Sequence, residues 1–247
     1  EKTDKYPPIA FRRMKEDVIE GLPQKNYLIH REDMPPEQVL AYDEIRSKLN
    51  DAARGTAIKL LHHIRSVSLH PDRVDAGVND HLVFVEKSGR LKAAMNVLKH
   101  VQETKERALV FIEDHRMQWF FVEVLKATFG LDTVRVINGK TPIPRRMKYV
   151  DEFQEHLNKD DEFDVMVLGP KAAGVGLTLT AATHVIHLSR WWNPAVEEQC
   201  NDRIFRIGQE RDVTIHVPMA IHPGYQDRSF DCILNDLIKT KKVLSKS

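Results

Sequence analysis

Cysteine is nearly absent from the 247-residue chain, which holds only Cys200 and Cys232, neither in a CxxC pair. That excludes a disulfide framework and a four-cysteine zinc site, and it fits an intracellular, reducing location: cytoplasm or nucleoid in a prokaryote, nucleus in a eukaryote. Long apolar runs are lacking too. Uncharged apolar runs, such as 119–122 and 165–168, fall far short of the about 18 residues that span a bilayer, so neither a transmembrane helix nor a membrane partner is expected. No surplus of charge exists, because 37 Lys plus Arg stand against 36 Asp plus Glu; any anion-binding face has to be local. The absence of a G-x-S-x-G turn and of a Cys-His pairing removes support for a self-contained hydrolase. The chain opens Glu1-Lys2-Thr3-Asp4, without methionine or an apolar leader, and reads as a piece of a longer protein, expected to be monomeric.

What is present is globular: 42% hydrophobic and 30% charged residues. At roughly 150 residues per domain the length gives about 1.6 domains, one compact domain with an extension. Beyond residue 87, short runs rich in Val, Ile, Leu and Phe at 108–112, 133–137, 163–168, 184–188 and 213–217 alternate with helical patterns at 117–129, 145–157 and 197–206. Pro142, Pro144 and Pro194 fall near helix starts, where a missing N–H costs least. Such β-α alternation predicts a mainly parallel sheet with helices on both faces, its ligands bound in loops at the carboxyl ends of strands. Residues 1–87 read as an extended segment at 26–31 and two helices at 37–50 and 56–69. Residues 226–242 set Phe230, Ile233, Leu234 and Leu237 at helical spacing, which predicts a docked bracing helix.

Two loops carry the candidate chemistry. The first, from Gly169 to Leu177 directly after a predicted strand, contains Gly174 and Gly176, which allow close approach to a phosphate, and Lys171, which adds a positive charge; turn chemistry alone accounts for it equally well. The second holds Arg203 and Arg206 three residues apart, predicted on one face of the 197–206 helix. Two such guanidiniums repel, and they are tolerated either in water, with Glu198 and Asp202 balancing charge, or opposite an anion such as a triphosphate. Trp191 and Trp192 are adjacent, so they cannot both face inward, and Trp192 is read as the functional one. His62, His63, His70, His184 and His187 match no metal-ligand spacing, so no metal site is expected.

In combination, Lys171-Ala172-Ala173-Gly174-Val175-Gly176-Leu177-Thr178-Leu179-Thr180-Ala181-Ala182, then Trp192-Asn193-Pro194, then Gln199, Asp202, Arg203, Arg206, Ile207, Gly208 and Gln209, resemble helicase motifs V and VI of the Swi/Snf-type DNA-translocating ATPases of superfamily two. Phe11-Arg12-Arg13-Met14-Lys15, Asp17-Val18, Leu22-Pro23-Gln24-Lys25, Met34, Gln38 and Tyr42 look like that family's connection from the first motor lobe to the second. His70-Pro71, Ser88-Gly89-Arg90-Leu91, and Asn138-Gly139-Lys140-Thr141 with Arg146 and Phe153 fit the segments that follow. The sequence departs from the pattern at Pro170, Ala173, Thr178 and Phe205; Pro170 removes both an N–H and a hydroxyl from its position.

The resemblance implies a second RecA-like helicase lobe of three-layer α/β fold at 88–220, preceded by an inter-lobe linker and helical insertion at 1–87 and closed by a bracing helix at 221–247. It implies Arg203 and Arg206 as arginine fingers, with Gly174, Gly176, Gln199 and Asp202 beside ATP. Thr141, Arg146, Lys171 and Trp192 are implied on double-stranded DNA. The chain has no G-x-x-x-x-G-K-S/T loop and no D-E-x-H acidic pair, so the resemblance assigns ATP and magnesium binding to a first RecA-like lobe of the same polypeptide and makes this chain inactive alone. The alternative is a non-catalytic DNA- or protein-binding module that keeps the lobe's fold.

Overall fold

The computed structural model describes residues 23–50, 54–72, 74, 80–155 and 163–244. The motif at 11–18 and Leu22 lie outside the described residues. Six strands form one sheet: β1 (Lys25–Asp33), β2 (Arg107–Phe111), β3 (Arg135–Ile137), β4 (Asp164–Leu168), β5 (His184–His187) and β6 (Val213–Ile221), in the order β1-β6-β5-β2-β4-β3. Every pairing is parallel, so the expected α/β RecA-like architecture is the one the chain adopts. Because β2 is flanked by β4 on one side and β5 on the other, the direction of winding reverses at its carboxyl end, where such sheets open a crevice.

Burial on both faces explains the near-continuous apolar strands. Val110, Val167 and Ile186 pack against helices α4 (Gly89–Glu103) and α5 (His115–Phe129). Leu109, Phe111, Met166 and Ile215 face the opposite layer, which holds Phe153 of α6 (Ile143–Gln154) and Cys200 of α7 (Pro194–Asn201). Asp114 caps the start of α5, and Gly130, in the left-handed conformation at φ 67°, ends it. Strand β6 runs past Val217 through Pro218, where the sequence reading stops. Its pairing with β5 ends at His216, so the missing N–H of Pro218 removes no rung there.

The segment read as a linker supplies the edge strand: β1 pairs with β6 in register from Lys25 opposite Val213 to Asp33 opposite Ile221. After it come α1 (Pro36–Asn50), α2 (Arg54–Leu69) and the short α3 (His81–Glu86). Their junction with the sheet is keyed at Ser88-Gly89. Ser88 caps α4 and donates to the Leu69 carbonyl at 2.6 Å, while the Gly89 N–H donates to Gln38 Oε1 at 3.0 Å. A Cβ on Gly89 would lie 2.8 Å from the Asp33 carbonyl oxygen, so only glycine lets α4 start against the end of β1.

The closing helix, α8 (Phe230–Leu244), turns a different face inward from the one its apolar residues suggest. Phe230, Leu234 and Ile238 are buried against Tyr42 and Ile64, but Ile233 and Leu237 are exposed. Asp231 and Asn235 take the inward positions because they meet buried arginines. Arg90 donates to both oxygens of Asp231, and Arg190 donates to Asn235 Oδ1 at 3.3 Å.

A hydrogen-bonded chain of side chains crosses three adjacent strands. His30 Nε2 meets His216 Nδ1 at 2.8 Å, His216 Nε2 meets His184 Nδ1 at 2.9 Å, and His184 Nε2 meets Glu106 Oε2 at 2.7 Å. With Glu106 ionised as the terminal acceptor, the neutral rings donate in sequence toward it. Burial disfavours the charged imidazoles. It lowers His30 and His184, the latter against the opposing pull of Glu106, and brings His216 down to about 3. Burial pushes the Glu106 carboxyl up, but the hydrogen bond from His184 brings it below its ordinary value.

Two predictions follow from this packing. Gly89→Ala should destabilise the fold by about 1–3 kcal/mol, the usual cost of overpacking, and an unchanged denaturation midpoint would refute the close approach. Histidines with depressed folded pKa values stabilise the fold above the unfolded value of 6.5, and that contribution drains as pH falls from there toward the folded values. Urea melts between pH 7 and 5 should therefore lose up to about 1.4 kcal/mol per pH unit for each well-buried ring, and His216→Gln should flatten the dependence. A wild-type slope of zero would contradict the neutral chain.

Candidate functional site

The loops that leave the carboxyl ends of β2, β3, β4 and β5 converge on one cleft. One part, of about 560 Å³, is lined by Arg65, Glu113, Arg116 and Lys140 among others. A second part, of about 280 Å³, shares Glu113 and His115 and is lined by Asn138, Gly139, Lys171 and Trp191. The loops are tied by side chains rather than by backbone pairing. Buried Gln118 donates to the Ile112 carbonyl at 2.7 Å and accepts from Asn138 Nδ2 at 2.8 Å, linking the loops after β2 and β3. Arg65 of α2 pairs with Glu113 at 2.5 Å and donates to the Arg190 carbonyl at 2.6 Å, linking the loops after β2 and β5.

Among the residues read as DNA-binding, Lys171 is exposed in the cleft with its ammonium 5.7 Å from the Trp191 ring. Thr141 and Arg146 build the turn at 138–141. Thr141 Oγ1 accepts from the Asn138 N–H at 3.0 Å, and Arg146 donates to the carbonyls of Thr141 at 2.7 Å and Asn138 at 3.1 Å, so its guanidinium is spent on the turn. Of the two tryptophans, Trp191 lines the cleft. Trp192 packs edge-on against Phe230 of α8, ring centroids 5.6 Å apart, and its carbonyl accepts from Lys241.

After β4 the chain makes a 3-10 turn, Pro170–Val175. Pro170 occupies its first position, where no N–H is needed, and its carbonyl faces the Cys200 thiol at 3.9 Å. Burial pushes that thiol up to about 12, which makes it a packing group and not a nucleophile. Gly174 lies within the turn, and Gly176 ends it in the left-handed region at φ 66° with open space around its α-carbon. It is the backbone conformation, not crowding, that calls for glycine there.

The arginine pair meets the far end of the same turn. Arg206 donates to the Gly176 carbonyl at 3.0 Å; Arg203 donates to the Gln199 carbonyl at 2.9 Å and to Leu177 at 3.4 Å. Neither arginine lies on a helix, as 197–206 was expected to be. Helix α7 stops at Asn201, where the N–H groups of Arg203 and Ile204 turn to carbonyls only three residues back, Cys200 and Asn201, and the Arg203 carbonyl then accepts from the Leu179 N–H at 2.8 Å. Asp202 caps that helix end, and Gln199 is exposed on its last turn. Burial, then the neighbouring Arg206, lowers the proton affinity of Arg203, a cost that a nearby anion would relieve.

Sequence reasoning missed three supporting residues, Arg190, Glu197 and Gln118, and met Gln209 only as part of a motif. Gln209 is buried and donates to the carbonyls of Thr180 and Ala182, fixing the chain that follows the glycine turn. Arg190 and Glu197 form a buried bidentate ion pair at 2.6 and 3.2 Å that seats α7 against the end of β5. Gln118 carried no motif signal at all, since a lone glutamine in an amphipathic helix looks like surface.

Residues 89–208 match the helicase conserved C-terminal domain family. The putative ATP-dependent helicase/translocase YwqA of Bacillus subtilis is 32% identical over 239 residues, covering 92% of this chain and 25% of the relative. The chain thus spans a quarter or less of the length of the curated relatives it matches. The C-terminal part of the Fun30 ATPase domain superposes with a TM-score of 0.70 at 19% identity, covering 88% of this chain and 89% of that one. The Sulfolobus solfataricus SWI2/SNF2 ATPase core in complex with dsDNA superposes with a TM-score of 0.62 at 21% identity, covering 81% and 42%. The two solved structures bear on the fold alone.

Proposed function

The chain belongs to the helicase conserved C-terminal domain family, as a Swi/Snf-type lobe, and from that premise we propose that it is the arginine-donating half of an ATP-driven translocase on double-stranded DNA. The observation that carries this reading is the position of one 3-10 turn. Its first residues bring Lys171 into the cleft beside Trp191, and the carbonyls just past its end, those of Gly176 and Leu177, meet Arg206 and Arg203. A displacement felt at one end of so short a segment is felt at the other.

On this reading a first RecA-like lobe of the same polypeptide binds ATP and magnesium, and hydrolysis there supplies the free energy. Arg203 and Arg206 reach that lobe's nucleotide as arginine fingers, exchanging backbone carbonyls for phosphate oxygens. Gly176 sets their approach, with Gly174 in the same turn, and Gln199 and Asp202 flank them. A guanidinium matches phosphate oxygens bidentately and neutralises charge that grows as the γ-phosphoryl group leaves. Across the cleft, Lys171 and the 138–141 turn take the DNA backbone, Arg146 by holding Thr141 and its neighbours in place. Contacts of that kind position a duplex without reading its sequence. Trp191 offers the cleft an aromatic face, and Trp192 ties the same loop to α8.

In the longer protein, Arg206→Ala should lower DNA-stimulated ATP turnover by about 10³ or more, the typical worth of such a finger, and leave duplex affinity intact. Turnover near that of the wild type would remove the arginine assignment. A second comparison separates the tryptophans. Trp191→Ala should weaken duplex binding at an unchanged melting temperature, while Trp192→Ala should lower the melting temperature through its lost contact with Phe230. The reverse pattern would exchange their roles.

A further inference from the structure

Glu198 stands one residue before the motif that bears the arginines, and its carboxylate gathers the two ends of the described chain. From β1, Lys25 Nζ reaches Oε2 at 2.7 Å and the Tyr27 hydroxyl donates to Oε1 at 3.0 Å. From α8, Lys242 Nζ reaches Oε1 at 2.5 Å. The Tyr27 hydroxyl also accepts from Asn201 Nδ2 at 3.4 Å, and Asn201 Oδ1 meets His187 Nε2 of β5 at 2.8 Å. Lys25 lies 5.4 Å from the Phe205 ring, between the two arginines in sequence.

These contacts hold the peptide that presents the arginines. The Glu198 carbonyl accepts from the Asp202 N–H at 2.8 Å, and the Gln199 carbonyl accepts from Arg203 Nε. Burial pushes the Glu198 carboxyl up, yet Lys25 and Lys242 hold it well below the usual carboxylate range, so it is a fixed anion at any physiological pH. Burial and the neighbouring Glu198 drive the Tyr27 phenol upward, keeping it a proton donor. An exposed lysine-glutamate pair is worth little, but two cations and a phenol converging on one half-buried carboxylate from separate elements fix a geometry.

We propose that the Lys25–Glu198–Lys242 cluster, with Tyr27, is a positioning clamp that sets the arginine-bearing turn relative to β1 and α8. It rests on the arginine-finger reading. Lys25, Tyr27 and Glu198 touch no nucleotide; they act by holding residues 201–206 at the end of α7, so that a shift of β1 against β6 changes where Arg203 and Arg206 point. The clamp ties the strand by which the chain joins the sheet to the charges that complete catalysis.

The test is steady-state ATP hydrolysis and duplex binding by the longer protein carrying Lys25→Met, Glu198→Gln, both together, Lys25→Arg, or Arg206→Ala. The clamp predicts that Lys25→Met and Glu198→Gln each lower kcat about 10- to 100-fold, the scale of loss for misplaced catalytic groups, with KM for ATP, duplex affinity and melting temperature unchanged. The double variant should be no slower than the slower single one, and Lys25→Arg should restore most of the turnover. Loss of turnover in Arg206→Ala with wild-type kcat in Lys25→Met and Glu198→Gln overturns the clamp alone. Wild-type kcat in Arg206→Ala overturns the arginine reading and the clamp with it. A fall in melting temperature that parallels the fall in kcat in both single variants makes the cluster structural and likewise overturns the proposal.

Discussion

The buried ion pair between Arg90 and Asp231 is the constraint on which the rest of this chain depends. Each side chain is almost wholly removed from water, so neither is stable there without the other; breaking such a pair costs about 3–5 kcal/mol. Arg90 also donates to the Leu188 carbonyl at 3.2 Å, and Asp231 accepts from the Ala220 N–H at 2.8 Å. One contact therefore fixes the start of α4, the end of β5, the end of β6 and the rotation of α8. Around it Arg190 joins Glu197 to Asn235, so α7, and the arginines beyond it, inherit their placement from the same charges. Pairs of this kind contribute less to net stability than to choosing one arrangement among several, and here the arrangement chosen sets the site.

This explains which parts of the molecule were legible from sequence. Strands β2, β4 and β5 are buried on both faces, so their apolar runs announce them within a residue or two. The inward face of α8 was misjudged because Asp231 and Asn235 do the facing, and no hydrophobic periodicity registers an acid that has found an arginine from residue 90. The end of α7 was misjudged for a similar reason. Past Asn201 the bonding tightens to three-residue steps and the Arg203 carbonyl goes to the Leu179 N–H, a partner remote in sequence that nothing local in 197–206 signals. The nine-residue pairing of β1 with β6 is a contact between segments almost two hundred residues apart, which a linear reading sees only as one extended stretch.

The site shows the same division. Motif residues with a chemical reason to be where they are, Lys171, Gly176, Arg203 and Arg206, are brought to one turn. Residues that hold them, Gln118, Glu198 and Gln209, are polar side chains whose partners are remote in sequence, so their roles exist only once the sheet is assembled. The tryptophan pair illustrates the limit: alternation says that Trp191 and Trp192 face opposite ways, but only the assembled fold shows that Trp192 meets α8 while Trp191 meets the cleft.

The central claim is that one turn serves a DNA-facing cleft with its first residues and, through the carbonyls just past its end, an arginine pair. The most direct measurement is a structure of the longer protein bound to duplex DNA and a non-hydrolysable ATP analogue. The account predicts that Arg206 leaves the Gly176 carbonyl for the γ-phosphate while Lys171 lies within hydrogen-bond reach of a DNA phosphate. Arginines still seated on the carbonyls of Gly176 and Leu177, with nucleotide bound and duplex in place, would contradict it.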